Sequence, residues 1–189
     1  HNVSKSFGAL TVTDDASLSV PKGQALGIIG PNGAGKSTLF NLITGNLRSD
    51  KGRIEFNGRD ITTVPAMERC LMGIGRSFQI PQPFGKLTVF ERLLVAATYG
   101  RTQSEAQVSD ACAKVLERTE LLRRANMPAG KLSLLERKRL ELARALATDP
   151  SLLLLDEIAG GLTEAECASL IRTIRDIHAQ GVTIIWIEH

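Results

Sequence analysis

One octapeptide, Gly30-Pro31-Asn32-Gly33-Ala34-Gly35-Lys36-Ser37, constrains this chain more than any other feature. It fits the pattern G-x-x-x-x-G-K-[ST] in full, in a context where that pattern has structural meaning. Before it, Gln24-Ala25-Leu26-Gly27-Ile28-Ile29 reads as a buried-type strand. After it, Ser37 to Leu47 has helical spacing, with Leu39, Leu42 and Ile43 on one side. Strand, glycine-rich loop and helix in that order bring backbone N–H groups together at a helix N-terminus, where the dipole adds positive potential. Such a loop cradles phosphate. Lys36 is expected to reach the β- and γ-phosphates of a nucleotide, and the Ser37 hydroxyl to take Mg²⁺. Gly30, Asn32, Gly33, Gly35, Lys36, Ser37 and Thr38 are the candidate nucleotide-binding residues here.

A second element supports the same chemistry. Leu152-Leu153-Leu154-Leu155-Asp156-Glu157 is an apolar strand ending in two acids. A buried strand delivers Asp156 to its carboxyl end, where ligands of α/β sheets collect. Asp156 is the candidate partner of Mg²⁺, and Glu157 can polarise a water for attack on the γ-phosphate. A guanine reader of the N-K-x-D type is absent. Asn57-Gly58-Arg59-Asp60 matches it only loosely and reads better as the turn of a hairpin entered through Arg53-Ile54-Glu55-Phe56. Adenine, and hence ATP, is the expected nucleotide.

The remaining pattern gives an architecture. Ala16 to Val20 alternates apolar and polar residues and reads as a strand, with Pro21-Lys22-Gly23 as a turn. From Pro81 to Lys131 the chain is helical and charged, and Cys112, Val115, Leu116, Thr119 and Leu122 fit one helix face. Leu134 to Thr148 and Glu164 to Gln180 read as helices, the latter with Thr163 and Glu166 as a capping box and Gly181 at its end. Val182 to Ile187 is strand-like. Alternating strand and helix predicts an α/β fold: a P-loop NTPase core with a mostly parallel sheet, an N-terminal antiparallel β part and an inserted helical subdomain. Residues 1–80 and 138–189 are assigned to the core, and 81–137 to the helical subdomain.

Composition excludes several alternatives. A chain of 189 residues with a net charge of +3 lacks the clustered basic face of a nucleic-acid binder. No apolar run approaches the roughly 18–20 residues that span a bilayer, so a soluble chain is expected, with docking onto a membrane protein left open. Cys70, Cys112 and Cys167 are scattered and show no zinc spacing, which points to free thiols. No signal peptide is expected from the first residues, and no repeat runs through the sequence. Arg137-Lys138-Arg139 and His178 read as solvated surface, and Trp186, in a strand pattern, as core.

Taken in order, the motifs resemble the nucleotide-binding subunits of ABC transporters. After the phosphate loop, Gly75-Arg76-Ser77-Phe78-Gln79 is similar to the family's Q-loop, whose glutamine contacts Mg²⁺ and the attacking water. Leu132-Ser133 followed by Leu140-Glu141-Leu142-Ala143-Arg144-Ala145-Leu146 resembles the signature region and its helix. Ile187-Glu188-His189 resembles the switch strand, with His189 as γ-phosphate sensor. Phe7, in Phe7-Gly8, matches the aromatic that stacks on adenine. Ser37 to Gly45, Gly73 to Gln79 and Leu87-Thr88-Val89-Phe90-Glu91 are similar to ATPases of branched-chain amino acid importers, including relatives that carry amides or urea.

The resemblance implies an ATPase using ATP and Mg²⁺. Glu157, His189, Gln79 and Lys36 are its catalytic group; Ser37, Gln79 and Asp156 hold the metal. Phe7, Ser133 and the loop residues contact nucleotide. It also implies a second ATP-binding subunit, transmembrane permease subunits, an external solute-binding protein, no nucleic acid, and a place at the cytoplasmic face of the membrane. In the family the chain continues past the switch histidine, so a longer native protein is expected.

Three segments depart from the family. The signature, normally L-S-G-G-Q, is Leu132-Ser133-Leu134-Leu135-Glu136. Ser133 and Glu136 also form an S-x-x-E capping box, which accounts for Glu136 as well as a ligand role would. Ile158 stands where proline is usual. Gly160-Gly161-Leu162-Thr163 replaces a loop that ends in Asp or Asn, leaving Thr163 as a helix cap or a cross-subunit contact.

Overall fold

A computed structural model describes residues 1–77, 86–100 and 105–188. The chain opens with an antiparallel ribbon, β1 (Val3–Phe7) and β2 (Leu10–Ala16), whose turn is made by Gly8 at φ 61°. Next come β3 (Ala25–Ile29), α1 (Lys36–Thr44) and a short hairpin of β4 (Glu55–Phe56) and β5 (Arg59–Asp60). In that hairpin Asn57 and Gly58 both have positive φ, as an Asn-Gly turn requires. α2 (Ala66–Leu71) leads into β6 (Ile74–Arg76), and α3 (Val89–Gly100) and α4 (Glu105–Arg118) form the helical region. The chain then runs through α5 (Leu134–Ala147), β7 (Leu152–Asp156), α6 (Glu164–Ala179) and β8 (Thr183–Glu188).

The central sheet is fully parallel, in the order β3-β8-β7-β6. Strand β7 is buried along its whole length, and its period of two splits one leucine run between two cores. Leu153 and Leu155 pack with α3, α4, α5 and α6 on one face. Leu152 and Leu154 pack with Phe40 of α1 and Ile61 on the other. The expected α/β fold, with helices on both faces, is thereby present. Burying four leucines at once contributes about 1.5–3 kcal/mol each relative to exposure.

Several local readings need correction. Ala16 to Val20 is not a strand. The tight turn at Gly8 pairs Phe7 with Leu10, so β1 is used up where Val3 meets Ala16. β3 is apolar but not buried-type: it is an edge strand paired only with β8 among the described residues, and Ile29 is 80% exposed. Leu122 leaves the predicted helix face, because α4 ends at Arg118 and Glu120 turns with φ 58°; Leu121 enters the core instead.

Of the basic run only Arg137 is exposed as expected. Lys138 and Arg139 are buried, and Arg139 pairs with Glu120 at 2.7 Å. His178 is half-buried, its Nε2 2.9 Å from the Gly23 carbonyl. Trp186 is half-buried against the larger core.

Candidate functional site

The topology brings the motifs to one edge. Parallel strands share a direction, so the carboxyl ends of β3, β6, β7 and β8 lie side by side. There β3 runs into the Gly30–Ser37 loop, β7 ends in Asp156, β6 ends at Arg76, and β8 ends at Glu188. The register pairs Ile29 with Glu188 and Asp156 with Ile187.

The loop has the backbone its sequence demands. Gly33 and Gly35 have φ of 82° and 83°, a left-handed region that L side chains resist. A Cβ on Gly35 would stand 2.7 Å from the Val12 carbonyl oxygen, so β2 presses directly on the loop. Gly35 is also the N-cap of α1, and neither its cap nor the first turn carries an acidic group. The helix end therefore keeps its positive potential for an anion. Lys36 Nζ folds back and donates to the carbonyls of Gly30 and Pro31, the latter at 3.0 Å. Ser37 is exposed and Thr38 half-exposed at the start of the helix.

Asp156 lies at the end of β7, with a side chain 5% exposed. Its Oδ2 accepts from Arg76 Nη2 at 2.5 Å, and Arg76 Nη1 donates to Asn41 Oδ1 at 2.6 Å. The guanidinium also stands over the Phe40 ring at 5.5 Å. Oδ1 of Asp156 is buried without a hydrogen-bond partner. An orphaned carboxylate oxygen is costly, and it suits a hard cation such as Mg²⁺. Among the described residues no cluster of three or more His, Cys, Asp or Glu side chains can hold a metal alone.

Glu157 follows with φ 46°, a left-handed backbone uncommon outside glycine. Its N–H donates to the Ile187 carbonyl at 3.0 Å, and its carbonyl accepts from Lys138 Nζ at 3.4 Å. Strain of this kind persists where surrounding groups over-determine it, and it clusters at functional sites.

Ser133 belongs to a separate group. It caps α5 as half of a complete capping box: its Oγ accepts from Glu136 N, and Glu136 Oε2 accepts from Ser133 N at 2.8 Å. Arg124 Nε donates to Glu136 Oε1 at 2.8 Å. α5 nevertheless connects Ser133 to the sheet edge, because Lys138 on the same helix reaches Glu157. Thr163 is likewise a cap, in a capping box with Glu166. Phe7 is 48% exposed at the tip of the ribbon, with Lys5 Nζ 5.6 Å from its ring centre. Gln79 and His189 lie outside the described residues.

With this geometry in view, comparison with known proteins is decisive. The sequence model of the ABC transporter family matches residues 13–160. This chain belongs to the ABC transporter family. It is 36% identical to the probable branched-chain amino acid transport ATP-binding protein LivG of Methanocaldococcus jannaschii, over all of this chain and 78% of that protein. It is 36% identical to the high-affinity LivG of Escherichia coli over 97% of this chain and 78% of that protein. The lipopolysaccharide export system ATP-binding protein LptB of Haemophilus influenzae is 32% identical, with 100% of this chain and 78% of that protein covered. Among solved structures, a nucleotide-free ATP-binding cassette from an ABC transporter matches with a TM-score of 0.91 and 36% identity. That match covers 100% of this chain and 79% of the other.

The chain is therefore an ABC ATPase, a nucleotide-binding subunit of a transporter. Among its described residues no helix is long and apolar enough to cross a membrane. Sequence reasoning assigned no role to Arg76, Asn41, Lys138 or Glu188 of this ABC ATPase. Arg76 and Asn41 stand inside the family-like segments, and that was their only signal. Glu188 likewise stands in the segment resembling the switch strand, and Lys138 is visible only through a contact distant in sequence.

Proposed function

We propose that this chain is the ATP-hydrolysing motor subunit of an ABC importer for branched-chain amino acids or related small polar solutes. The observation that carries the motor role is the convergence of the Gly30–Ser37 loop, Asp156 and Glu157 on one sheet edge. The LivG relatives support branched-chain amino acids, while the LptB relative ties the same cassette to a different cargo.

In this reading the loop amides of Gly30 to Ser37 and the α1 dipole bind the phosphates, and Asn32 and Thr38 add polar contacts. Lys36 leaves the carbonyls of Gly30 and Pro31 to take the β- and γ-phosphates. Phe7 stacks on adenine. Ser37, Asp156 and Gln79 hold Mg²⁺, which supplies charge neutralisation on the phosphates when bound. Glu157 accepts the proton of the attacking water, and His189 senses the γ-phosphate. Ser133 faces the nucleotide of a second ATP-binding subunit, so that binding closes the pair and hydrolysis reopens it. Permease subunits anchor the motor to the cytoplasmic face of the membrane, and a solute-binding protein delivers cargo to them. Residues 81–137, as a helical subdomain inserted in the core, pass the motion on together with Gln79.

E157Q tests the mechanism. It should bind ATP normally and lose about 10²-fold or more in turnover, the usual contribution of a general base. Unchanged turnover would sink the assignment of Glu157. A second reading, a module with impaired hydrolysis, is favoured by one observation: Glu136 occupies the signature helix start and is held there by Ser133 and Arg124. Robust turnover stimulated by the permease subunits excludes it.

A further inference from the structure

We propose that Glu188 is a positioning residue of the ATPase, clamping the turn that carries Glu157 onto the end of β8. The inference rests on Glu157 as the catalytic carboxylate.

Glu157 sits in a left-handed turn that leaves β7, and such a turn keeps its shape only if its neighbours hold it. The last residues of β8 do so at two points. The Ile187 carbonyl accepts from Glu157 N at 3.0 Å. Two residues further along the turn, Ala159 N donates to Glu188 Oε1 at 3.2 Å. The same oxygen accepts from Trp186 Nε1 at 2.8 Å. Residues 186 and 188 of a strand project to the same face, so the indole can fix the rotamer of the carboxylate. One bond to the backbone of β8 and one to a side chain of β8 thus hold the turn at Glu157 itself and at Ala159, on either side of Ile158.

A general base must stand within hydrogen-bond reach of the water it deprotonates, and a displacement near 1 Å costs about 10²-fold in rate. Loss of the Glu188 acceptor releases the turn downstream of Glu157 without touching the loop on β3 that binds phosphate. The effect should fall on kcat and leave KM alone. Because the two bonds need an acceptor and not a charge, glutamine should substitute for glutamate. Trp186 is the chain's single tryptophan, so its emission reports directly on the bond to Glu188.

The test compares E188A, E188Q and E157Q in steady-state ATP hydrolysis, nucleotide binding and tryptophan emission. E188A should lose about 10- to 100-fold in kcat, with KM for ATP within about twofold and a shifted emission maximum. E188Q should keep kcat and the wild-type emission. The proposal is overturned if E188A shifts the emission yet turns over like wild type. It is equally overturned if E188Q is as impaired as E188A, or if KM rises while kcat holds. Should E188A fail to fold, E188M, close in length but without an acceptor, takes its place under the same criteria. E157Q separates the two levels: retained turnover there defeats the role of Glu157 itself. Lost turnover in E157Q with full activity in E188A defeats only the clamp.

Discussion

Arg76 holds Asp156 through a 2.5 Å ion pair between side chains only 8% and 5% exposed, and the same guanidinium reaches Asn41 on α1. The pair joins the end of β6, the end of β7 and the helix that begins with Lys36. Removing one partner of a buried pair leaves an uncompensated charge and costs about 3–5 kcal/mol. R76Q should therefore destabilise the chain by that order in urea denaturation. The double variant R76Q/D156N should recover part of the loss, since neither charge then remains buried alone. Additive losses in the double variant would show that the two residues do not act as a pair.

The phosphate loop offers an internally controlled comparison. Gly33 and Gly35 share the same left-handed backbone, but only Gly35 has a neighbour against it. G33A meets open space and should cost about 1–2 kcal/mol of backbone strain. G35A adds a collision with the Val12 carbonyl, 2.7 Å from the new Cβ. It should be the more destabilised of the two by thermal denaturation and should lose more affinity for ATP. Equal losses would mean that β2 does not brace the loop.

Arg69 is the most buried charged side chain described, 1% exposed, and its role is structural. Its Nη1 donates to the carbonyls of Leu42 and Ile43 at 2.7 and 2.8 Å, in the last turn of α1, and Nε donates to Val64 O at 2.8 Å. Burial holds its guanidinium below the ordinary arginine value. Only a planar fork can serve these carbonyls together. R69K should lose at least two of the bonds and about 2 kcal/mol or more of stability, with ATP KM unchanged. A variant as stable as wild type would refute the capping role.

The contrast between these residues explains what could be read before the fold was known. The loop at Gly30–Ser37 and the strand ending in Asp156-Glu157 are legible because their meaning is local: a spacing, a neighbouring strand, a following helix. The capping boxes at Ser133 and Thr163 are legible for the same reason. Arg76 reaches partners 35 and 80 residues away, and Glu188 one that is 29 residues away, so no local period announces them. Lys138 and Arg139 read as surface because composition cannot show that Glu157 and Glu120 will arrive beside them. Ile29 fails in the opposite sense. An apolar strand residue states a preference for burial, and its place on the sheet edge decides whether that preference is met.

The start of the signature helix should respond to acid. The Glu136 carboxyl is held below the usual carboxylate range, first by the Ser133 N–H and then by the Arg124 guanidinium, against the opposing effect of burial. A carboxyl with a depressed folded-state pKa adds stability that is present above its unfolded pKa, near 4.3. That stability is lost as pH falls through the lower folded value. Wild type should therefore exceed E136Q in stability at pH 7, and the gap should shrink as pH drops below about 4.3. S133A removes the other half of the box and should cost about 1 kcal/mol at pH 7. Denaturant midpoints for the three proteins at pH 7 and pH 3 measure all of this. A gap between wild type and E136Q that is the same at both pH values would show that the Glu136 charge contributes nothing to the cap.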